Sequence, residues 1–375
     1  KNNQTSQPNI YLVGMGPGDV DLITIRAQEV VHKADLIVCS QELAKQFKSL
    51  LTGKELLVVG GQKSIETKEQ RHRIIATIRN AIKNKKMVAI LDHGDPMVYG
   101  KWLWCLNEFK DLNIKVESGI CQFHAACATM GQDVSYSDIA KSIIITTNDA
   151  PGQKDTTEKL SSNSATLVIH CQKDQFSDLL DKLKNKHNSE TPIALVLNPG
   201  RTKNEAVIRG TLGSIADAIT QQQLTNEFMV FIGSNLALLK PKQVSPAALK
   251  KGKLFLVGMG PGDADLATLR ARNVVKGSDL IISQFYFLNV RHKKILRGKK
   301  VWRPTDKMAF TGYGYGKTAD DFIGKNHERF IASEKARQET ITKVRQAVEA
   351  GKQVCILDYG DPLTYAPWCW ILREF

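Results

Sequence analysis

Over residues 10–130 the apolar and polar positions alternate between two periods. Short, β-branched apolar runs at 10–14, 36–40, 56–60, 87–91 and 114–117 predict buried strands. Between them apolar residues recur at three- and four-residue spacing. This is clearest over 68–83, where Ile74, Ile75, Ile78 and Ile82 share one face of a basic helix. An Ala-rich helix is predicted over 122–130. Strands alternating with helices imply an α/β unit around a mostly parallel sheet, with ligands bound beyond the carboxyl ends of its strands. Three glycine-containing loops follow such ends, at 14–19, 93–100 and 118–120. From 140 to 240 the texture changes to β-rich runs at 142–147, 165–170, 193–197 and 228–232, with helical stretches at 176–185 and 212–223. That predicts a second α/β subdomain, and the following PKQVSPAALKKG at 241–252 has the composition of a linker.

The first pattern is written twice. IYLVGMGPGDVDLITIRAQEVVHKAD at 10–35 recurs as LFLVGMGPGDADLATLRARNVVKGSD at 254–279, an offset of 244. LDHGDP at 91–96 recurs as LDYGDP at 357–362, an offset of 266, so the second copy carries 266 − 244 = 22 extra residues in between. The segment 310–330, with its TGYGYGK run, reads as that insertion and as a mobile loop. Phe375 is the counterpart of Phe109, so the second copy is expected as an N-terminal half only. The organisation predicted is a first N-terminal α/β subdomain at 9–135, a C-terminal α/β subdomain at 136–240, the linker at 241–252 and a second N-terminal subdomain at 253–375. Asp19 stands where a helix N-cap is expected.

Composition narrows the chemistry little. The 375 residues suit two or three domains, 42% of them are apolar, and no apolar run approaches the length of a membrane helix. A formal charge of +14 would suit nucleic acid, a membrane surface or a polyanionic small substrate. Lysines are scattered and not interleaved with aromatics, which favours a merely solvated surface and predicts neither a nucleic-acid nor a membrane partner. The seven cysteines form no CxxC pair and no ligand spacing with histidine, so reduced thiols, no metal site and a cytoplasmic location are expected. Residues 1–8 lack the apolar core of a secretion signal.

Five blocks in order, GMGPGD, the strand running into GDPMVYG, ESGICQFHAACATMG, TLVIHC and VIRGTLGSI, resemble the tetrapyrrole methylase family. The resemblance spans about 9–240 as a complete unit and 253–375 as an N-terminal half. It implies two α/β subdomains with a cleft between them, a homodimer, S-adenosyl-L-methionine as methyl donor and S-adenosyl-L-homocysteine as product. The acceptor implied is a tetrapyrrole-like or corrin-type ring methylated at carbon. By the family's pattern, donor contacts fall on Pro17, His93, Gly94, Asp95, Val98, Cys121, Gln122, Cys171 and Gly200. In the second copy the corresponding positions are Pro261, Tyr359, Gly360 and Asp361. Asp19, His93 and Tyr99 are the catalytic candidates. Glycine at 94 permits close backbone approach, and the Asp95 carboxylate can attract a sulfonium or its amino group.

The chain departs from the family at several places. Ser118-Gly119 replaces the usual Pro-Gly, and Cys171 replaces methionine. Ser40 and Gly61, with Lys63 two residues on, stand where uroporphyrinogen methylases carry an aspartate and a lysine, and Gln284 takes the aspartate position in the second copy. These losses argue against uroporphyrinogen as the acceptor. His124 reads as a packed core histidine. Trp102/Trp104 and Trp368/Trp370, spaced i,i+2, cannot share a helix face and read as core or interface, with a platform for a flat substrate as the sharper alternative. Two other functions fit the residues: borosin-type methylation of a peptide backbone, and a drifted, non-catalytic module serving as a scaffold.

Overall fold

The computed structural model describes residues 9–60, 67–135, 141–220, 224–238, 252–304 and 311–375. The chain divides into two compact units, residues 1–122 and 123–375. In the first unit the apolar runs become β1 (Ile10–Gly14), β2 (Leu36–Ser40), β3 (Glu55–Val59), β4 (Val88–Asp92) and β5 (Ile114–Glu117). They form one parallel sheet in the order β3-β2-β4-β1-β5. β4 is buried at every position, as expected for a central strand covered on both faces. The helix Lys68–Lys83 packs Ile74 and Ile78 against Ile10, Leu12, Leu36, Val88 and Ile90, and a capping box of Thr67 and Gln70 starts it.

The chain leaves β1 toward β2 and leaves β4 toward β5, which lie on opposite sides of the β4–β1 pair. Right-handed crossovers in opposite directions must run over opposite faces of the sheet. The loops after β1 and β4 therefore flank a crevice at the carboxyl end of the sheet, where ligands of such folds bind.

The second unit holds two sheets. One contains β6 (Ile143–Thr147), β7 (Thr166–Gln172), β8 (Pro192–Leu197), β9 (Ala206–Thr211) and β10 (Glu227–Ile232), in the order β6-β7-β10-β8-β9. β6 and β7 are parallel and the remaining pairs antiparallel. The run at 206–211 had no strand predicted for it, because its interrupted apolar pattern hides an edge strand. The helix Phe176–Lys184 covers this sheet with Phe176, Leu179, Leu180 and Leu183.

The other sheet repeats the first: β11 (Lys253–Gly258), β12 (Leu280–Ile282), β13 (Val301–Trp302) and β14 (Gln353–Asp358), all parallel, in the order β11-β14-β12-β13. The described inserted residues, 311–330, do not form the mobile loop expected of TGYGYGK. The helix Lys325–Glu349 corresponds to Lys68–Lys83 at an offset of 266 and begins nine residues earlier, since Lys68 matches Glu334. That extension places Phe330 beneath Gly314 and stacks it on Phe322. Buried Arg337 donates to the carbonyls of Thr311 (3.1 Å) and Tyr313 (2.7 Å), while the Tyr315 hydroxyl donates to Glu374 (3.0 Å). The segment is thus packed on both sides.

The tryptophans are core residues. Trp102, Trp368 and Trp370 are buried, which excludes the flat-substrate platform. Trp102 and Trp104 do meet, with ring centroids 6.0 Å apart, because the helix starts only at Trp104 and Trp102 belongs to the turn before it. All seven cysteines are buried, and none is in a disulfide. Among the described residues no helix is long and apolar enough to cross a membrane. Gly61, Lys63 and all but Gly252 of the linker lie outside the described residues.

Candidate active site

Backbone contacts tie the three glycine loops of the first unit together. Gly16 and Gly94 exchange two hydrogen bonds, Gly16 N to Gly94 O at 3.2 Å and Gly94 N to Gly16 O at 3.0 Å. Met15 N donates to Asp92 O at 2.9 Å. The loop after β5 approaches just as closely. A Cβ on Gly119 would stand 2.1 Å from Gly94 O, and one on Gly14 would stand 2.6 Å from Gly119 N. Only side-chain-free positions allow this three-way crossing.

Asp95 holds the crossing together. Its carboxylate accepts from Met97 N at 2.9 Å, closing its own turn, and from Gly119 N at 2.9 Å in the loop after β5. Asp95 therefore also has a structural role, which the expectation of a carboxylate aimed at a cation did not include. Gly94 differs from Gly119. Its φ is +66°, and an added methyl would lie 3.7 Å from Cys121 Cα and 4.0 Å from Gln122 N, in ordinary contact. Its main chain thus faces Cys121 and Gln122 across the width of one methyl group.

His93 places Nε2 3.7 Å from a Glu42 carboxylate oxygen. Met97, Val98 and Tyr99 are exposed along the same loop. Tyr99 has φ +58°, and its counterpart Tyr365 has φ +53°. A left-handed tyrosine costs about 1–2 kcal/mol, and both copies keep it. Asp19 begins a short turn, Val20–Leu22, with no side-chain capping bond, whereas Thr24 caps the helix Ile25–Lys33 by accepting from Ala27 N at 3.0 Å. The expected N-cap therefore moves five residues along. Pro17 lies in the β1 loop, whose Gly18 carbonyl accepts from the Gln46 amide. Ser40, at the position of the missing aspartate, caps the helix Gln41–Gln46. Its counterpart Gln284 instead accepts from the Thr311 hydroxyl at 2.9 Å.

Sequence reasoning missed Asp92, although LDxGDP carries it in both copies. It is buried and accepts from His93 N (3.0 Å) and Trp102 N (3.4 Å). Burial pushes its carboxyl up to about 6, against the pull of those two N–H groups. Asp358 is buried in the same place in the second copy and is pushed up to about 7. Buried Glu117, which closes β5, takes Lys115 at 2.7 Å and Arg26 at 3.8 Å.

Cys171 and Gly200 belong to the second unit. Cys171 is buried near the end of β7, where burial pushes its thiol up to about 11, so it is a neutral, apolar wall. Gly200 follows β8 in a turn with φ +79°. His124 is half-buried, packs edge-on against Phe123 at 5.1 Å, and faces the second copy's Asp361 electrostatically. It is not a sealed core histidine. In the second copy Gly260 and Gly360 form the same bridge as Gly16 and Gly94, and the Tyr359 hydroxyl donates to the Pro261 carbonyl.

A family model described as Tetrapyrrole (Corrin/Porphyrin) Methylases matches residues 9–216 and 253–375. The uroporphyrinogen-III C-methyltransferase of Methanocaldococcus jannaschii is 30% identical over 237 residues, which are 61% of this chain and 97% of that protein. Among solved structures, a cobalt precorrin-4 methyltransferase superposes with a TM-score of 0.54 at 21% identity, over 62% of this chain and 96% of that one. A uroporphyrin-III C-methyl transferase from Thermus thermophilus, complexed with S-adenosyl homocysteine, gives 0.50 at 20% identity over 62% of this chain and all of that one.

Proposed function

The chain belongs to the tetrapyrrole (corrin/porphyrin) methylase family, and we propose that it is a methyltransferase that uses S-adenosyl-L-methionine to methylate a tetrapyrrole or corrin-type intermediate at carbon. The observation that carries this is the meeting of three side-chain-free loops at the crevice of the parallel sheet. The site fits a donor of that kind because Gly94 presents bare main chain opposite the main chain of Cys121 and Gln122. Pro17, His93, Gly94, Asp95, Val98, Cys121 and Gln122 are the residues of the first unit proposed to hold it, and Cys171 and Gly200 are the donor-type positions proposed in the second. The bound donor supplies a methyl group activated by positive sulfur.

The chain's own part is positioning and exclusion of water. Asp95 sits in the crevice without rotational freedom, since both its oxygens accept main-chain hydrogen bonds, and it adds fixed negative charge there. His93, paired with Glu42, and Tyr99, held in a strained turn, are proposed to face the acceptor, as is Asp19. The domain division at 9–135, 136–240, 241–252 and 253–375, assembly as a homodimer and a cytoplasmic location complete the proposal. The relatives are methyltransferases by name, which leaves peptide methylation and a passive scaffold without support.

Calorimetric titration of S-adenosyl-L-methionine and S-adenosyl-L-homocysteine into the purified chain tests the donor. Transfer of labelled methyl to uroporphyrinogen III and to cobalt-precorrin-4 tests the acceptor class. Saturable donor binding with label recovered on a ring carbon is the expected result. Absence of donor binding at millimolar concentration would refute it.

A further inference from the structure

The second copy has changed most at the carboxyl end of its sheet. The pairs Leu43/Leu288, both fully buried, and Lys54/Lys299, which donate to equivalent carbonyls, set the local offset at 245. Glu42 matches Phe287 at that offset and His93 matches Tyr359 at 266, so the Glu42–His93 contact of the first copy becomes Phe287–Tyr359, an edge-on pair with centroids 5.5 Å apart. Arg291 lies over both rings, 5.5 Å from Phe287 and 5.8 Å from Tyr359, and Arg303 lies 4.8 Å over Tyr286. These groups follow β12, β13 and β14, three adjacent parallel strands, so they gather at one end of the sheet. All three rings are exposed, Tyr286 by 66%.

The charge has shifted with the rings. Residues 286–304 carry seven cations (Arg291, Lys293, Lys294, Arg297, Lys299, Lys300, Arg303) and no carboxylate. Their counterparts at 41–59 carry Lys45, Lys48 and Lys54 against Glu42 and Glu55, a net of 3 − 2 = +1. Meanwhile two tyrosines of this copy's donor-type loops are tied to other chain segments, although a methyl added at Gly360 would meet nothing within 4 Å. The Tyr359 hydroxyl donates to the Pro261 carbonyl, joining the loop after β14 to the loop after β11. Tyr365 N donates to Ser135 Oγ at 2.7 Å and its hydroxyl to Lys141 O at 2.5 Å, pinning the loop to another part of the unit.

We propose that the second copy is an acceptor-docking module: the face built from Tyr286, Phe287, Tyr359, Arg291 and Arg303 binds a planar polycarboxylate, and the donor loops beneath it bind no donor. This deepens the function proposed above and rests on it for the kind of ring delivered. Exposed rings offer π faces to a flat ligand, and arginine forks match carboxylates while still stacked on aromatics. Phe287 and Tyr359 meet edge-on and Tyr286 adjoins Phe287 in the chain, which suits a single macrocycle better than a strand of nucleic acid crossing several aromatic steps.

The test uses the full chain and uroporphyrin I, a planar polycarboxylate followed by its own fluorescence. Saturable binding that weakens with salt is expected. Arg291→Glu with Arg303→Glu, and separately Tyr286→Ala with Phe287→Ala, should each lower that affinity at least about tenfold, one decade in Kd. Donor titration of the same samples should give one site per chain, unaltered by either pair. The proposal is overturned if both variants keep the wild-type affinity for uroporphyrin. It is also overturned if two donors bind per chain, or if a single-stranded oligonucleotide occupies this face more tightly at equal salt. Loss of donor binding in the wild type would instead strike the methyltransferase assignment, so the two failures are separable.

Discussion

Gly119→Ala tests the three-loop crossing, and Gly53→Ala supplies its control. At Gly119 the new methyl would lie 2.1 Å from Gly94 O and 2.9 Å from Gly14 Cα, both main-chain atoms. Reaching 3.0 Å, the shortest tolerable separation, requires 3.0 − 2.1 = 0.9 Å of loop movement. That movement pulls on the Gly119 N to Asp95 bond and on the paired bonds between Gly16 and Gly94. Overpacking costs about 1–3 kcal/mol, and with main chain on both sides the upper part of that range applies. At Gly53 nothing lies within 4 Å of the added methyl, and φ is +78°. Its cost is left-handed strain alone, about 1–2 kcal/mol before the smaller gain from a stiffer unfolded chain. Urea unfolding followed by donor calorimetry separates the two. Gly53→Ala should lose about 1 kcal/mol and bind the donor as the wild type does. Gly119→Ala should lose about 3 kcal/mol and at least about one decade of donor affinity. Wild-type donor affinity in a folded Gly119→Ala protein would show that the crossing does not form the site.

Three further predictions follow from single side chains. Asp95→Ala should cost stability as well as donor affinity, about 1–3 kcal/mol for each amide left without its acceptor; unchanged unfolding with weakened binding would mean that the carboxylate acts on the ligand alone. Asp92 is raised when folded, from an ordinary 3.8 to about 6. Its folded form therefore binds the proton more tightly than the unfolded chain does. The stability it contributes is full below about 3.8 and is lost as pH rises to about 6, a change on the order of 3 kcal/mol. Asp92→Asn should flatten the unfolding midpoint between those pH values, and parallel curves for variant and wild type would contradict the burial argument. Arg337→Met removes a charged donor to two carbonyls at a buried site and should cost about 3 kcal/mol. Limited proteolysis should then cut near 311–324, and a variant as resistant as the wild type would show that Phe330 alone holds the segment.

Much of the fold was readable because short apolar runs bounded by turn residues mark its strands, most plainly the buried β2 and β4. The five runs of the first unit and the helix at 68–83 appear within a residue or two of their expected bounds. β9 was not readable, since Arg209, Gly210 and Thr211 interrupt its apolar run after three residues. The TGYGYGK segment misled for a related reason: glycine-rich composition signals a loop, but what packs the loop is Phe330 and Arg337, which follow it in the chain. In the site, the repeated motifs pointed to Gly94 and Asp95, but the partner of Asp95 is an amide 24 residues away, which no local spacing reveals.

By itself the sequence determined the strand–loop–helix order, the duplication and the three loops that carry the site. These depend on periodicity and on residues without side chains, which are properties of the chain read in order. Tertiary structure alone decided what each repeated position does. The same GDP loop faces the main chain of Cys121 and Gln122 at Gly94 in one copy and is bridged by Tyr359 to Pro261 in the other. Phe287 and Arg291 have also joined Tyr359 where Glu42 meets His93 in the first copy. The motif is retained in both because it sets backbone geometry, whereas its chemistry depends on neighbours contributed by distant strands.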